Sequence, residues 1–400
     1  MQTPIYIGID VSKDKFDYAA MDTHNTIIKK GSLQMNRDGF IEDSLLGQEI
    51  SQLIESFPNV VVGFESTGTY HVNIMSFLLS LTEHVYLLNP ALVKKFAEAD
   101  SLRKTKTDAV DAIAIARFLI YRQHSIFAMT EIDSAYLTQL ARLRESITRD
   151  VGKTKTHLKQ MLNIAFPELL KHANVFTDTF LQILEQFPSA KAIRKATKKR
   201  IQKIFYNPTK SRGKKPDMNP DQLFDLAKYS IGTADESLEM AIKFDIKHLV
   251  FLQKHLDEVT SKLIDNVNKR FGNELEILKS IKGIGDTTAC HFLSEVKNIQ
   301  RFSNYKQLIA YAGTDPSVKQ SGKMIKRGKI SKRGVSSLRR VGYLITCSVI
   351  RHDGVFRDYY IRKREEGMAY RKAVIATWNK LLRVIFAILT KQVKFVPNHG

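Results

Sequence analysis

The chain has 400 residues, 43% of them hydrophobic, enough for two or three domains with real cores. Its 62 Lys and Arg against 41 Asp and Glu give a formal charge of +21, which points to a polyanionic partner, nucleic acid or an anionic membrane surface. There is no run of about 18 apolar residues, and the start "MQTPIYIGIDVSKDKF" lacks a signal-peptide pattern, so we expect no membrane residence. Cys290 and Cys347 are too few and too far apart for a disulfide framework or a cysteine zinc site, which fits a reducing cytoplasm and leaves nucleic acid as the partner class.

The first 120 residues alternate between strand and helix patterns. "PIYIGIDVS" (4–12), "KFDYAAMD" (15–22) and "NTIIKKGSLQM" (25–35) read as three strands of an antiparallel meander. A helical stretch at about 38–57 precedes a buried strand, "NVVVGFEST" (59–67), and a helix at 70–82. "HVYLLNP" (84–90) is a further strand, followed by helices near 90–98 and 107–121. One mixed α/β sheet accounts for this order.

Residues 132–170 then change to helical spacing, with Leu140, Leu143, Ile147, Val151, Leu158 and Met161 along one stripe. Residues 236–271 repeat the pattern: Ile242, Leu249, Leu256 and Leu263 fall seven apart, with Leu252 and Val259 on the alternate seam. Such seams predict an antiparallel helical hairpin or an intermolecular coiled coil, and ordinary core helices share the pattern. Between them, 191–215 holds eleven Lys or Arg and no acid, interrupted by Phe205 and Tyr206. A charge run is usually a solvated face, but in so basic a chain contact with phosphates is the better expectation.

The last portion opens with "LKSIKGIGDTTACHFLSEV", whose "GIG" turn between helical stretches resembles a helix-hairpin-helix able to offer backbone N–H groups to a phosphate. From Val318 to His352 there is no acid while Lys and Arg recur, and amphipathic helices finish the chain. We divide the sequence into a domain at 1–125, a helical region at 126–272 with a basic insert at about 171–235, and a mainly helical domain at 273–400.

Four acids stand out. Asp10 ends the strand "IYIGID" and Glu65 ends "VVVGFE", each after an apolar run where an unpaired carboxylate is expensive. In "KTDAVDAIAIARFL" (106–119), Asp108 and Asp111 are three apart and share a helix face. Acids in a first turn also suit the macrodipole, with Asp108 as cap, and either strand-end acid could be simply solvated. Taken together, four carboxylates in one domain call for a counter-ion, and oxygen-only ligands select a hard cation such as Mg²⁺ or Mn²⁺. Such ions can activate an in-line phosphodiester displacement.

The set of strand-Asp, strand-Glu and helix Asp-x-x-Asp on a three-strand-first sheet resembles the ribonuclease-H-like fold in its Holliday-junction-resolvase form. The wording "YIGIDVSKDKF", "GFESTGTYH", "NPALVKKFAEADSLRKTKTDAVDAIAIARF", "IKGIGDTTACHFLSEV", "AGTDPSVKQSGK" and "ISKRGVSSLRR" is similar to the DEDD transposases of insertion-sequence family 110, with its 1111 branch. The similarity covers 5–165 and 275–350, and the stretch 171–235 has no counterpart in it. It implies that Asp10, Glu65, Asp108 and Asp111 bind the metal, and that Ser321 in "KQSGK" is the nucleophile of the C-terminal domain. It also implies a bridge RNA pairing with target and donor DNA.

A hydroxyl beside Gly322 and among Lys319, Lys323, Lys326 and Arg327 suits close approach to a phosphate; Ser317 is near but lacks the serine–glycine context. Lys332, Arg333, Arg339 and Arg340 extend that basic surface towards DNA, and Arg103, Lys104 and Lys106 before the acid helix are expected to hold guide RNA. The helical seams suggest a homo-oligomer, a dimer or larger. Three rival readings are an actin-like ATPase or sugar kinase, a stand-alone junction-resolvase-like endonuclease, and a non-catalytic nucleic-acid scaffold. The first needs a second phosphate-binding hairpin domain and sits badly with the charge. The second lacks a use for the serine domain, and the third leaves the four acids unexplained.

Overall fold

A computed structural model describes residues 4–34, 51–57, 59–65, 71–82, 84–88, 90–100, 108–122, 132–206, 217–321 and 324–397, with the hairpin at 317–329 described by its backbone alone. The chain forms two compact units, 1–136 and 137–400.

In the first unit, β1 (Ile5–Val11), β2 (Lys15–Met21) and β3 (Ile27–Gln34) form the expected antiparallel meander. A helical segment α1 (51–55) leads to β4 (Val60–Glu65), then α2 (His71–Leu81), β5 (Val85–Leu88), α3 (Pro90–Asp100) and α4 (Asp108–Arg122). The strands make one mixed sheet in the order β3-β2-β1-β4-β5, with β1, β4 and β5 parallel. That arrangement is consistent with a ribonuclease-H-like α/β domain. Alternation along the strands sends side chains to two covered faces. Ile5, Ile7, Ile9, Phe16, Tyr18, Val62 and Phe64 pack on one face with Ile74 and Leu78 of α2. Tyr6 and Leu88 pack on the other with Val93 of α3 and Ile115, Phe118 and Leu119 of α4. Arg117 of α4 reaches Asp100 at 2.8 Å, tying the two helices of that face together.

The second unit is helical, with one two-stranded hairpin. Its elements are α5 (Ile132–Ala165), α6 (Leu169–His172), α7 (Asp178–Gln186), α8 (Ala190–Lys195), α9 (Lys198–Phe205), α10 (Pro220–Lys228) and α11 (Glu236–Lys279), then α12 (Asp286–Val296), α13 (Tyr305–Ala312), β6 (Pro316–Ser321), β7 (Met324–Ile330), α14 (Ser336–His352), α15 (Gly354–Glu365) and α16 (Tyr370–Lys391). The two long seams pair within the chain, running antiparallel: Arg144 Nε donates to Thr260 Oγ1 at 2.9 Å, and His157 Nδ1 lies 2.7 Å from Asp245 Oδ2. Ile242, Leu249 and Leu263 are buried in that interface, as are Leu140, Val151, Leu158 and Met161. Leu143, expected on the stripe, is 49% exposed. The side of α5 that meets α11 is narrower than the apolar pattern suggested. The segment 171–235 contributes α7 to α10, short helices that close a separate core with the end of the pair where α5 finishes and α11 begins, around Leu162, Phe166, Phe180, Leu184 and Leu223.

The last helices enclose a third core around Phe292, Trp378, Leu382 and Ile385. α16 is long and apolar enough to cross a membrane, with mean hydropathy 1.5 over its best window, but half of that window is buried and Trp378 is wholly covered, as befits a core helix. Polar contacts fasten α5 to this core. The Arg142 guanidinium pairs with Glu295 through two bonds of 2.9 and 3.0 Å. Ser337 Oγ donates to Glu145 Oε2 at 2.6 Å, leaving its oxygen to accept from His291 Nε2 at 2.7 Å.

Candidate active site

Asp10 and Glu65 end neighbouring parallel strands. β1 and β4 run in register from Ile5 opposite Val60 to Ile9 opposite Phe64, so both acids stand at the same carboxyl edge of the sheet, where α/β sites are commonly built. Two paired glycines, Gly8 and Gly63, show which face they share. A Cβ on Gly8 would lie 2.3 Å from Ala112 O and 2.4 Å from Ala116 N, while one on Gly63 would meet Leu119 Cδ2 at 2.7 Å. α4 therefore rests backbone-to-backbone on β1 and leans towards β4. Residues two apart on a strand share a face, so Asp10 and Glu65 lie on the side that α4 covers. Asp108 and Asp111 form the first turn of that helix. The close contact at Ala112 brings this turn to the strand-end edge.

The structure adds two residues that the sequence reading missed. Asp17 is the Cα partner of Asp10 across β1 and β2, hence on the same face, and is only 6% exposed. Lys15, two residues earlier, sends its ammonium to Asp17 Oδ2 at 3.0 Å and to Asp108 Oδ2 at 3.1 Å. Hydrogen bonds to Asp17 and then to Asp108 push the Lys15 pKa up, so it stays charged. A signal was present in "KFDYAAM", where Lys15, Asp17 and Ala19 alternate with Phe16, Tyr18 and Ala20. Which side meets α4 is a tertiary choice that the alternation leaves open.

Five carboxylates thus approach one edge, with Asp10, Glu65 and Asp111 half-buried and Asp108 exposed. Their oxygen donors suit a hard divalent cation, and the Lys15 ammonium already places positive charge on two of them, Asp17 and Asp108. Among the described residues, no three His, Cys, Asp or Glu are gathered closely enough to hold a metal ion as they stand. The acids share an edge and a face without being drawn together.

Ser321 ends β6 and pairs with Met324 at the tip of the β6–β7 hairpin. In the same ladder Lys319 stands opposite Lys326 and Val318 opposite Arg327. Lys332 and Arg333 follow the hairpin and are exposed. Arg339 and Arg340 are already held within the protein. Arg339 Nη1 donates to Ala312 O at 3.1 Å and Gly334 O at 3.3 Å, and Arg340 pairs with Glu145 at 2.9 Å. Arg103, Lys104, Lys106 and Lys323 lie outside the described residues. The "GIG" turn does join two helices, but the first turn of α12 carries Asp286, bound by Lys279 at 2.9 Å, which disfavours a phosphate there.

Comparison with known proteins decides the family. A model for the DEDD transposase domain of IS110 matches residues 7–167, and one for the transposase IS116/IS110/IS902 family matches 275–361. The chain belongs to the IS110 family of transposases. It is 24% identical over 393 residues to a pilin gene-inverting protein of Moraxella bovis, covering 98% of this chain and 97% of that one. It is 25% identical over 297 residues to an IS110 uncharacterized 43.6 kDa protein of Streptomyces coelicolor, covering 72% and 71%. A mini-circle putative transposase for IS117 from the same species is 22% identical over 381 residues, covering 91% and 88%. Membership makes this transposase an enzyme that cleaves and recombines DNA, with a domain type that works with a divalent metal. Residues 168–274, which hold the short-helix module and most of α11, lie between the two matched spans.

Proposed function

We propose that this transposase exchanges DNA strands with a metal site built by Asp10, Glu65, Asp108 and Asp111 and a nucleophile, Ser321, under the guidance of a bridge RNA that pairs with target and donor DNA. The observation that carries the reading is the seating of α4. Backbone contact at Gly8 brings an acidic helix start to the edge where two parallel strands end in carboxylates. Mg²⁺ or Mn²⁺ bound there supplies Lewis-acid charge to a scissile phosphate.

The remaining work falls to the chain. The carboxylates would hold the cation, and a carboxylate oxygen it leaves uncoordinated would accept the serine proton. Ser321 Oγ forms a bond to phosphorus as the bond from phosphorus to a deoxyribose oxygen breaks, and that oxygen takes up a proton. The phosphodiester energy is thereby kept in a protein–DNA link for rejoining. Cationic residues of the hairpin and its surroundings hold the backbone phosphates. Because the acids belong to the first unit and Ser321 to the second, the reaction brings the two together, in one chain or across copies in a homo-oligomer.

The test is a denaturing gel of protein, guide RNA and labelled target DNA with Mg²⁺. The parent forms a protease-sensitive adduct. Asp111→Asn, which removes a charge at nearly constant size, binds RNA but loses cleavage by orders of magnitude. Ser321→Ala binds DNA and forms no adduct, whereas Ser317→Ala still forms one. An adduct that persists in Ser321→Ala, or parental cleavage by Asp111→Asn, overturns the assignment of that residue.

A further inference from the structure

The acidic edge contains a cation of its own. Lys15 leaves β2 on the α4 side of the sheet and bridges Asp17, which is almost fully buried, and Asp108, one of the four acids of the metal site. The two contacts are unequal in kind. Asp17 has 9% of its side chain exposed and sits beside Asp10 in the strand ladder, so losing its partner would leave a buried charge. Asp108 has 49% of its side chain exposed at the start of a helix, where water and the helix dipole stabilise it without help. Lys15 is therefore anchored through Asp17, and its hold on Asp108 is the exchangeable one.

The geometry points to Lys15 as an electrostatic latch on the metal site: its ammonium pairs with Asp108 and competes for that carboxylate with a divalent ion. The inference rests on the proposed metal role of Asp108. It explains why acids placed on one face at one edge are not already gathered. Asp108 is drawn to β2 by Lys15, and the first turn of α4 is held in that position. Once released, the Lys15 ammonium stays on Asp17, within a side chain's reach of the same edge, and is free to meet a phosphate oxygen of the DNA.

A cation that competes with the metal weakens its binding, and a lysine that only buttresses β2 does not. Lys15→Met should bind Mn²⁺ about 1.5- to fivefold more tightly than the parent, the range expected for removing one partly exposed ion pair. Affinity is read by titration calorimetry and by the electron paramagnetic resonance signal of free Mn²⁺, without DNA. Lys15→Arg, which keeps the charge, should bind as the parent does. Because Lys15→Met orphans Asp17, the double variant Lys15→Met with Asp17→Asn removes both charges and should show the same tightening in a well-folded chain. Unchanged or weaker Mn²⁺ binding in both variants overturns the latch. Asp111→Asn in the same titration separates the two levels of the argument. If it abolishes Mn²⁺ binding, the metal site stands and only the Lys15 result judges the latch. If it leaves Mn²⁺ binding at the parental level, the site assignment fails and the latch falls with it.

Discussion

Gly8→Ala is the sharpest test of how this enzyme positions its acids. The new methyl would sit 2.3 Å from Ala112 O and 2.4 Å from Ala116 N, both backbone atoms of α4. An ordinary carbon contact needs about 3.4 Å or more, so helix and strand must part by about 1 Å. Overpacking of this kind costs about 1–3 kcal/mol, which leaves a folded domain. The larger consequence is catalytic, because the same shift carries Asp108 and Asp111 away from Asp10, and a displacement of about 1 Å can cost roughly 100-fold in rate. Gly63→Ala is the matched control. Its methyl meets the tip of the Leu119 side chain at 2.7 Å, and that side chain can turn aside, so both effects should be several-fold smaller. Thermal unfolding and single-turnover strand cleavage measure the two quantities. If Gly8→Ala cleaves at the parental rate while melting lower, the seating of α4 does not set the site. If the two alanine variants behave alike, the backbone contact is not special.

Two further outcomes concern the second unit. Lys297 closes α12 at φ 59° and ψ −124°, a conformation suited to glycine, and burial followed by the nearby Arg301 charge brings its pKa down to about 8. Lys297→Gly should therefore raise thermal stability near pH 7 by about 1 kcal/mol, and a drop in melting temperature would refute that account. In the α5 staple, burial pushes the Glu145 pKa up, but the Ser337 hydrogen bond and the Arg340 charge outweigh it and leave it low; burial leaves the His291 pKa low. The His291 contribution is present above its unfolded pKa near 6.5 and is lost as pH falls below it; the Glu145 contribution is lost lower still, as pH falls through its folded pKa. Urea midpoints taken from pH 7.5 down to pH 4 should fall in two steps, and His291→Asn should remove the upper one.

Much of the first unit was legible because its signals are local. The strand expected at 4–12 is Ile5–Val11, that at 15–22 is Lys15–Met21, and that at 59–67 is Val60–Glu65, each bounded by turn-forming residues. The acids of the candidate site were visible because a carboxylate ending an apolar strand is conspicuous. Asp17 was hidden because it lies inside a strand, where a polar residue usually marks a solvated face, and α4 covers that face here. The heptads at 242–263 showed that a seam exists but not its partner: the same spacing serves a second copy or the chain's own α5. The segment 171–235 was read as charge alone because its helices α7 to α10 run only 6 to 9 residues, shorter than the window in which a helical period is read. The β6–β7 hairpin went unseen for a related reason. A run of Lys, Ser and Gly has little apolar alternation, and its pairing sets Lys319 against Lys326.

That pairing bears on how the enzyme uses its charge. A surplus of +21 spread evenly would oppose folding and choose no site, yet many cations here have partners: Arg142 with Glu295, Arg340 with Glu145, Lys279 with Asp286. These pairs join helices of the second unit, and an ion pair within the protein offers less to a phosphate. Elsewhere the backbone pairing sets Lys319 and Lys326 at opposite positions on the hairpin that carries Ser321, and Lys332 and Arg333 follow in exposed positions. The first unit inverts the arrangement, with five carboxylates at one edge and a lysine holding two of them. On the proposed roles, a DNA backbone is favoured by the hairpin and repelled by the acidic edge until a cation neutralises it. Charge placement of this kind would let the enzyme hold DNA before it is able to cut it, so binding measured with EDTA should survive where cleavage does not. Loss of both together would mean that the metal, rather than the hairpin, holds the substrate.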